Sequence, residues 1–322
     1  MNMKRIAVIT AGGDAPGMNA AIRSVVRTAL FNGLEVMGVE RGYTGLIEGK
    51  MRSLDIRSVS GIINRGGTML RTARCEEIKT NQGIQKAART LRTHKIDGFV
   101  VIGGDGSFRG ASELYEVSHV PVIGVPATID NDVFGTDTTI GFDTAVNTAL
   151  FTIDRIRDTA TSHERVFIVE VMGRKRGFLA LAVGFAEGAE FILVPEIKFN
   201  LASICRKIKL GRKNGKTSEI VVMAESAGDS SLIAEQIRKR TEYDVRLTVL
   251  GHALRGGPPT AQSRILANQF GALAVHFLLE GAEKSMIGIR GQEIVRADLD
   301  DSWTRKKDLD MQIYRLAEIL SF

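Results

Sequence analysis

Residues 4–33, KRIAVITAGGDAPGMNAAIRSVVRTALFNG, decide the expected fold. Ile6–Ile9 form a short β-branched run, and the glycine-containing segment Thr10–Gly17 follows it directly. From Met18 to Asn32 the apolar residues recur with the helical period of about 3.6 residues. Asn32-Gly33 then supplies a natural helix stop. The stretch therefore predicts a strand, a tight loop and a helix.

Similar apolar runs recur along the chain, and each ends in a glycine or polar loop. Continuous rather than alternating hydrophobicity favours strands that are covered on both faces, as in a parallel sheet. A further helix is expected from about Thr144 to Thr161. The alternation of strands and helices predicts an α/β doubly wound architecture. The expected strands are Ile6–Ile9, Val36–Val39, Phe99–Ile102, Val120–Val125, Val166–Val171, Ile192–Val194, Ile220–Met223 and Leu247–Leu250.

Length and composition narrow the class of protein. At about 150 residues per domain, 322 residues suggest about two domains. No apolar run approaches the ~18–20 residues that span a bilayer, and the N-terminus does not resemble a signal peptide. Cys75 and Cys205 provide neither a disulfide framework nor a zinc-binding spacing. We therefore expect a soluble cytoplasmic protein.

The mild positive charge suits anionic small molecules, nucleic acid or nothing in particular, and an ordinary solvated surface is the preferred interpretation. The chain carries 43 Lys and Arg against 37 Asp and Glu, a net charge of +6. Aromatic residues make up only 6% and do not alternate with basic ones, as single-stranded nucleic acid binding requires. We expect neither a nucleic acid nor a membrane as partner.

Two glycine loops directly follow expected strands, at Thr10–Gly17 and at Gly103–Ser107. Glycines at a strand-to-helix turn let backbone N–H groups approach a phosphate, and a helix N-terminus favours negative charge. The first loop does not have the dinucleotide-binding spacing G-x-G-x-x-G. In the second loop Asp105 can hold Mg²⁺, a hard cation that prefers oxygen ligands. The alternative is that both are tight turns, with Asp105 forming an Asx turn.

An acidic segment, Pro126–Asp132, follows a third expected strand. If it stays extended, Thr128, Asp130 and Asp132 point to the same side because side chains alternate along a strand. Two neighbouring acids raise each other's pKa, or serve a metal or as a base. A carboxylate that accepts a hydroxyl proton while an Mg²⁺-bound phosphoryl group arrives is typical of phosphoryl transfer. The alternative is a polar loop without chemistry.

Several arginines lie at strand ends or beside glycines and suit an anionic substrate, because Arg binds phosphate through two N–H groups. They are Arg74, Arg165, Arg174, Arg246 and Arg255. Gly211–Thr217 resembles a Walker loop but has three residues between its glycines instead of four, and it precedes a strand. We interpret it as a basic turn.

Taken together, eight segments in this order resemble the ATP-dependent 6-phosphofructokinases of the bacterial type over nearly the whole chain. The segments are Gly12–Asn19, Gly66–Thr68, Thr72–Arg74, Gly103–Ser107, Thr128–Asp132, Ser162–Arg165, Met172–Arg174 and Gly251–Gly257.

The resemblance implies transfer of the ATP γ-phosphoryl group to the 1-hydroxyl of fructose 6-phosphate, with Asp130 as general base and Asp105 holding Mg²⁺. It assigns a catalytic role also to Arg74, which stabilises transition-state charge, and to Thr128 and Arg174. The implied ATP site consists of Gly13, Arg74, Cys75, Gly104, Asp105, Gly106 and Ser107. The implied sugar phosphate site consists of Thr128, Asp130, Asp132, Arg165, Met172, Gly173, Arg174, Glu225, Arg246, His252 and Arg255.

The resemblance also implies a homotetramer in which Arg165 and Arg246 serve a neighbouring subunit, with His252 and Arg255 on the 6-phosphate. It implies two Rossmann-like, three-layer domains with mostly parallel sheets and an active site in the cleft between them. The ATP-binding domain is expected at 1–141 plus 254–304, and the fructose 6-phosphate-binding domain at 142–253 plus 305–322. An ADP or phosphoenolpyruvate effector is implied at Arg23, Arg27, Arg157, Gly188, Glu190 and Lys216.

The chain departs from the family pattern at four positions: Ala127, Phe178, Ser263 and Asn214. Gly106 favours ATP, since pyrophosphate-using relatives carry Asp there, which would crowd and repel the α-phosphate. Three alternatives stay open at this point: a pyrophosphate-dependent phosphofructokinase, a kinase of the NAD-kinase type, and a non-catalytic regulatory homologue that binds sugar phosphate.

Overall fold

The computed structural model describes residues 3–321. Twelve strands and eleven α-helices alternate along this part of the chain. The strands are β1 (Arg5–Thr10), β2 (Glu35–Val39), β3 (Met51–Leu54), β4 (Gly98–Gly103), β5 (Val122–Thr128), β6 (Ile140–Gly141), β7 (Val166–Val171), β8 (Phe191–Leu193), β9 (Glu219–Ala224), β10 (Val245–Val249), β11 (Lys284–Arg290) and β12 (Glu293–Asp298). The helices are α1 (Met18–Phe31), α2 (Gly42–Ile47), α3 (Asn81–Thr93), α4 (Asp105–Ser118), α5 (Phe142–Ser162), α6 (Phe178–Glu187), α7 (Leu201–Lys213), α8 (Ser230–Thr241), α9 (Ala261–Leu279), α10 (Asp301–Thr304) and α11 (Met311–Leu320).

The chain divides into two compact units, Met1–Thr144 with Arg255–Lys307, and Ala145–Leu254 with Asp308–Phe322. The expected ranges change domain after residues 141, 253 and 304, whereas the units change after 144, 254 and 307. Met1, Asn2 and Phe322, which belong to the expected ranges, lie outside the described residues. The assignment of ATP to one range and of the sugar phosphate to the other stays a prediction.

The first unit is built on an eight-stranded sheet in the order β12-β11-β5-β4-β1-β2-β3, with β6 paired to β5. Its central strands are parallel, and antiparallel pairs occur only at its edges, between β2 and β3 and between β11 and β12. Alternate residues of β1 and β4 pack under α3 and α4 in one apolar cluster, which includes Ile9, Phe99 and Phe108. Because β1, β4 and β5 run in parallel, the loops that follow them lie together at the carboxyl ends of these strands.

The second unit has a fully parallel four-stranded sheet in the order β10-β7-β9-β8. Its core combines Val166, Ile168 and Val221 from the strands with Ile208 and Ile237 from α7 and α8. The predicted mixed α/β class with mostly parallel sheets is therefore confirmed. Within residues 3–321, no helix is both long enough and apolar enough to cross a membrane.

The sequence patterns predicted the long buried strands but not those that are short or partly exposed. All eight expected runs overlap strands, and α1 and α5 match their expected spans closely. Four strands were missed: β3, β6, β11 and β12. β12 is largely exposed or half-buried, and β11 contains Gly288 and ends in Arg290, so neither is a continuous apolar run. The basic-turn interpretation of Gly211–Thr217 was partly wrong, because Gly211–Lys213 form the last turn of α7.

Candidate active site

The two glycine loops of the first unit contact each other directly. Ser107 donates its hydroxyl to the carbonyl of Ala11 over 2.9 Å, which joins the start of α4 to the end of β1. A Cβ at Gly103 would lie 2.6 Å from that carbonyl oxygen, and a Cβ at Gly12 would lie 3.0 Å from the Ser107 Oγ. Glycine is therefore needed at both positions for the loops to approach. The two predicted phosphate-binding loops are therefore in direct contact.

Two helices begin in these loops, with exposed glycine backbone beside them. α1 starts after Gly17, whose φ is +104°, and α4 starts after the extended Gly104. Among the described residues neither helix has a side-chain cap, so their first N–H groups are directed to the loops. Gly13 and Gly106 are exposed. Backbone donors at helix N-termini are suited to bind phosphate oxygens.

Asp105 is the first residue of α4 and is half-buried in its glycine loop. Residues 3–321 contain no cluster of three or more His, Cys, Asp or Glu residues that could hold a metal ion by themselves. Mg²⁺ in nucleotide sites usually takes one or two protein carboxylates and completes its shell with phosphates and water. A single carboxylate beside a phosphate loop fits that mode, so Asp105 suits Mg²⁺ delivered with a nucleotide.

Arg255 lies against the first glycine loop. Its Nη1 donates to the Asp14 carbonyl over 3.2 Å, and a Cβ at Gly13 would overlap the same atom. The guanidinium group thus places positive charge beside Gly13 and Asp14 of this loop. The expected role of Arg255 on the sugar 6-phosphate stays a prediction.

The segment that carries Arg74 and Cys75 is tied to the same loops. Thr72 donates its hydroxyl to the Gly12 carbonyl over 2.8 Å, and the Thr10 and Thr68 hydroxyls are 2.9 Å apart. A Cβ at Gly66 would lie 2.3 Å from the carbonyl oxygen of Gly257. Arg74 itself is exposed and Cys75 is half-buried. The backbone of this segment is fixed beside the glycine loops, while the Arg74 side chain faces solvent.

The acidic segment after β5 turns instead of continuing as a strand. β5 ends at Thr128, and Asn131 adopts a left-handed conformation with φ of +53°. The segment does not stay extended, so the expectation that Thr128, Asp130 and Asp132 point to the same side of a strand is wrong. The Asp130 N–H donates to the Thr128 hydroxyl over 3.2 Å, which closes a local turn. This turn buries Asp130, which is 3% exposed, and leaves Asp132 half-buried.

In the second unit Glu225 organises the turn that carries Met172, Gly173 and Arg174. One carboxylate oxygen, Oε1, accepts the Gly173 N–H over 3.1 Å and the Arg174 N–H over 2.6 Å. Arg174 has a left-handed φ of +53°, so the turn needs this anchoring. The structure thus brings four of the predicted sugar-site residues together at the ends of β7 and β9. Glu225 acts here on the backbone, a role that its sequence position alone does not indicate.

Arg165 and Arg246 converge on one carboxylate that the sequence reasoning missed. Asp244 accepts from Arg165 over 2.6 Å and from Arg246 over 3.0 Å. Burial opposes ionisation of Asp244, but these hydrogen bonds outweigh it and lower its pKa. Asp244 comes directly before β10 and Arg246 lies within it, two residues later, and this spacing is the sequence signal that could have revealed the pair.

His252 is exposed in the short 3₁₀ helix Gly251–Arg255.

The predicted effector residues fall into two groups, one in each unit. Arg23 and Arg27 lie on α1, and burial together with the charge of Arg27 lowers the pKa of Arg23. In the second unit the cations already have carboxylate partners: Arg157 with Glu187 at 2.8 Å, and Lys216 with Glu190 at 3.0 Å. Gly188 ends α6 with φ of +64°. An incoming anion would compete with the protein's own carboxylates for these cations.

Glu219, which the sequence reasoning also missed, is buried beside this second group. It is 1% exposed, and its Oε2 is 3.1 Å from Arg212 Nη2. Its other oxygen, Oε1, has no hydrogen-bond partner among residues 3–321. Burial raises the pKa of Glu219 to about 7, and the neighbouring Glu190 adds to the effect while Arg212 and Lys216 oppose it.

Comparison with known proteins identifies the family of this chain. The sequence model described as Phosphofructokinase matches residues 5–278. The chain belongs to the phosphofructokinase family. It is 52% identical to the ATP-dependent 6-phosphofructokinase of Thermoanaerobacter sp. (strain X514), and 50% identical to that of Halothermothrix orenii. Each alignment covers 99% of this chain and 100% of the relative.

Solved structures show the same fold. The crystal structure of Pichia pastoris phosphofructokinase in the T-state aligns with a TM-score of 0.88 and 37% identity, over 99% of this chain and 36% of the Pichia chain. This chain thus spans about a third of that larger protein. A pyrophosphate-dependent phosphofructokinase from Marinobacter aquaeolei aligns with a TM-score of 0.86 over 96% of this chain and 86% of its own. At 24% identity that likeness concerns the fold alone.

Three of the four departures from the family pattern are buried, and the fourth, Asn214, is exposed. Ala127 is buried in β5, and Phe178 begins α6 with the Arg176 guanidinium 5.3 Å above its ring. Ser263 is buried near the start of α9 and accepts a hydrogen bond from Thr144 over 2.8 Å. Asn214 caps the end of α7 through its backbone N–H. None of the four places an uncompensated charge in the core.

The raised pKa of Glu219 predicts a pH-dependent stability. The folded state holds the proton more tightly than the unfolded chain, so this stabilisation is full below about pH 4.5 and is lost as the pH rises through about 7. Glu219→Gln cannot titrate. Between pH 5 and 8, wild type should therefore lose on the order of 2–3 kcal/mol of unfolding free energy relative to Glu219→Gln.

Urea unfolding at fixed protein concentration measures this difference. The exposed Glu318→Gln variant is the control and should keep the wild-type pH dependence. Parallel pH dependences for wild type and Glu219→Gln would show that Glu219 is ionised throughout this range.

Proposed function

We propose that this protein is an ATP-dependent 6-phosphofructokinase, which transfers the γ-phosphoryl group of ATP to the 1-hydroxyl of fructose 6-phosphate. The products are fructose 1,6-bisphosphate and ADP, the committed step of glycolysis. One structural observation carries the proposal. A buried carboxylate, Asp130, follows the carboxyl end of β5, and the two glycine loops follow the carboxyl ends of the parallel strands β1 and β4. The ATP-dependent relatives, about half identical over their full lengths, support the same activity.

The nucleotide is bound by the first unit. Backbone N–H groups at Gly13, Gly104 and Gly106 hold the phosphates, and the start of α4 adds its dipole. Asp105 holds the Mg²⁺ that accompanies ATP and neutralises the charge of the phosphates. Ser107 contributes by fixing the loops, because its hydroxyl is committed to the Ala11 carbonyl. Arg74 and Cys75 complete this site.

Asp130 is the general base. Its carboxylate accepts the proton of the 1-hydroxyl as the oxygen attacks the γ-phosphorus, and the Thr128 hydroxyl lies within the same turn. Arg74 and Arg174 offset the negative charge that spreads over the transferred group. Asp130 is 3% exposed, so its carboxylate is shielded from bulk water.

The sugar phosphate is held by Asp132, Met172, Gly173 and Glu225, and its 6-phosphate by His252 and Arg255. Within residues 3–321 the Arg255 guanidinium donates one hydrogen bond, to the Asp14 carbonyl, and its further N–H donors are available for a phosphate. Arg165 and Arg246, gathered by Asp244, serve the site of a neighbouring subunit in a homotetramer. Arg23 and Arg27, together with Arg157, Gly188, Glu190 and Lys216, bind an ADP or phosphoenolpyruvate effector.

Replacing the proposed base tests the reaction chemistry. Asp130→Asn should lower kcat at least ~10²-fold, because a neutral amide cannot accept the proton. The KM values should change little, since the shape of the side chain is retained. A coupled assay of fructose 1,6-bisphosphate formation measures both constants, with exposed Asp308→Asn as control. Near-normal turnover of Asp130→Asn would remove Asp130 from the role of base.

Donor choice can be tested at Gly106. No described atom lies within 4 Å of a Cβ built there, so Gly106→Asp should fold normally. Its carboxylate would repel the nucleotide phosphates and should raise the KM for ATP at least ~10-fold, whereas Gly106→Ala should not. Wild type should use ATP and not pyrophosphate as donor. Equal activity with pyrophosphate would contradict the ATP-dependent assignment.

Shared active sites can be tested by mixing inactive subunits. Hybrid tetramers of Asp130→Asn and Arg246→Ala should recover activity, because some sites then receive both wild-type residues. Hybrids of Asp130→Asn with Arg74→Ala are the matched control and should stay inactive, since both residues serve the site of their own subunit. Absence of recovery in proven Asp130/Arg246 hybrids would argue against donation of Arg246 across subunits.

A further inference from the structure

Lys307 lies at the end of the first unit's second chain segment and is directed into the turn after β5. Its Nζ donates to the carbonyl of Asn131 over 3.1 Å and to the carbonyl of Asp137 over 2.8 Å. The side chain is half-buried, whereas the neighbouring Lys306 is exposed. One ammonium group thus joins both ends of the segment from Asn131 to Asp137.

The peptide that Lys307 holds has an uncommon backbone conformation. Asn131 has φ of +53° and is 6% exposed, and this left-handed region is rare for residues with a side chain, although Asn adopts it more readily than most. Its own Nδ2 donates to the Asp137 carbonyl over 3.1 Å, the same oxygen that Lys307 contacts. On the other side of Asp130, Thr139 donates to the Thr128 carbonyl over 2.6 Å. In the sequence, Asp130 therefore lies between two backbone carbonyls that accept side-chain hydrogen bonds, those of Thr128 and Asn131.

Charge strengthens the Lys307 contacts. A hydrogen bond from an ammonium group is about twice as strong as one between neutral groups. Burial lowers the pKa of Lys307 to about 8, although Asp137 and Asp132 oppose the change. The side chain is thus still mainly protonated at neutral pH. Loss of this group would leave the Asn131 carbonyl without its charged donor, directly next to Asp130.

We propose that Lys307 is a positioning residue for phosphoryl transfer. Its ammonium group holds the Asn131 peptide in the left-handed conformation that orients the Asp130 carboxylate toward the acceptor hydroxyl. The proposal rests on the proposed role of Asp130 as the base. Lys307 acts on the backbone of the turn, so it governs the rate of proton transfer more than the binding of either substrate.

The test compares Lys307→Met with its exposed neighbour, Lys306→Met. Lys307→Met should lower kcat at least ~10-fold and leave both KM values within ~3-fold, because misorientation of the base affects the chemical step. Lys306→Met should match wild type. Lys307→Arg, which keeps a charged donor, should retain most of kcat. Should Lys307→Met not fold, Lys307→Gln makes the same comparison with a neutral donor.

A double-variant cycle separates positioning from general damage. In the Asp130→Asn background Lys307→Met should have almost no further effect on kcat, because the base it orients is already absent. An equal loss in both backgrounds, or no loss in wild type, overturns the role of Lys307. Normal turnover of Asp130→Asn alone overturns instead the assignment of the base, so the two failures are distinguishable.

Discussion

The hydrogen bond from Ser107 to the Ala11 carbonyl is the contact on which the candidate nucleotide site depends. It requires two chain segments to approach so closely that side chains at Gly12 and Gly103 would collide with it. Because β1 and β4 are parallel neighbours, the segments that follow them lie side by side at the carboxyl ends of the strands, and the glycines allow them to touch. Each of the two loops leads from a strand into a helix, and neither α1 nor α4 has a side-chain cap among the described residues.

A different principle organises the second unit, where carboxylates arrange the cations and the backbone. Asp244 gathers Arg165 and Arg246, and Glu225 holds the turn of Gly173 and Arg174. Asp244 orders two arginine side chains, and Glu225 accepts from two backbone N–H groups of a turn. Groups that we propose to contact an anionic substrate are thereby ordered before it arrives, which reduces the entropy lost on binding.

The buried parallel strands and the residues at their ends could be predicted from the sequence, because a strand covered on both faces leaves a continuous apolar run. The edge strands β11 and β12 could not, since half-exposed strands tolerate Gly288 and charged residues. The turn at Asn131 was also unpredictable, because the Lys307 side chain that contacts its carbonyl is 176 residues away in the sequence. The same holds for Glu219, whose raised pKa reflects neighbours on separate elements. The resemblance to a known family indicated the candidate site residues, and the fold shows the contacts that hold them in place.

The pairing of β5 with β11 has a consequence for synthesis of the chain. β5 ends at Thr128, whereas the parallel neighbour that covers its edge begins only at Lys284. Until that part leaves the ribosome, the nascent first unit carries an uncovered strand edge with free backbone N–H and C=O groups. The whole second-unit segment Ala145–Leu254 emerges in the meantime. Nascent molecules are therefore most prone to pair edge to edge, and to need a chaperone, during that interval.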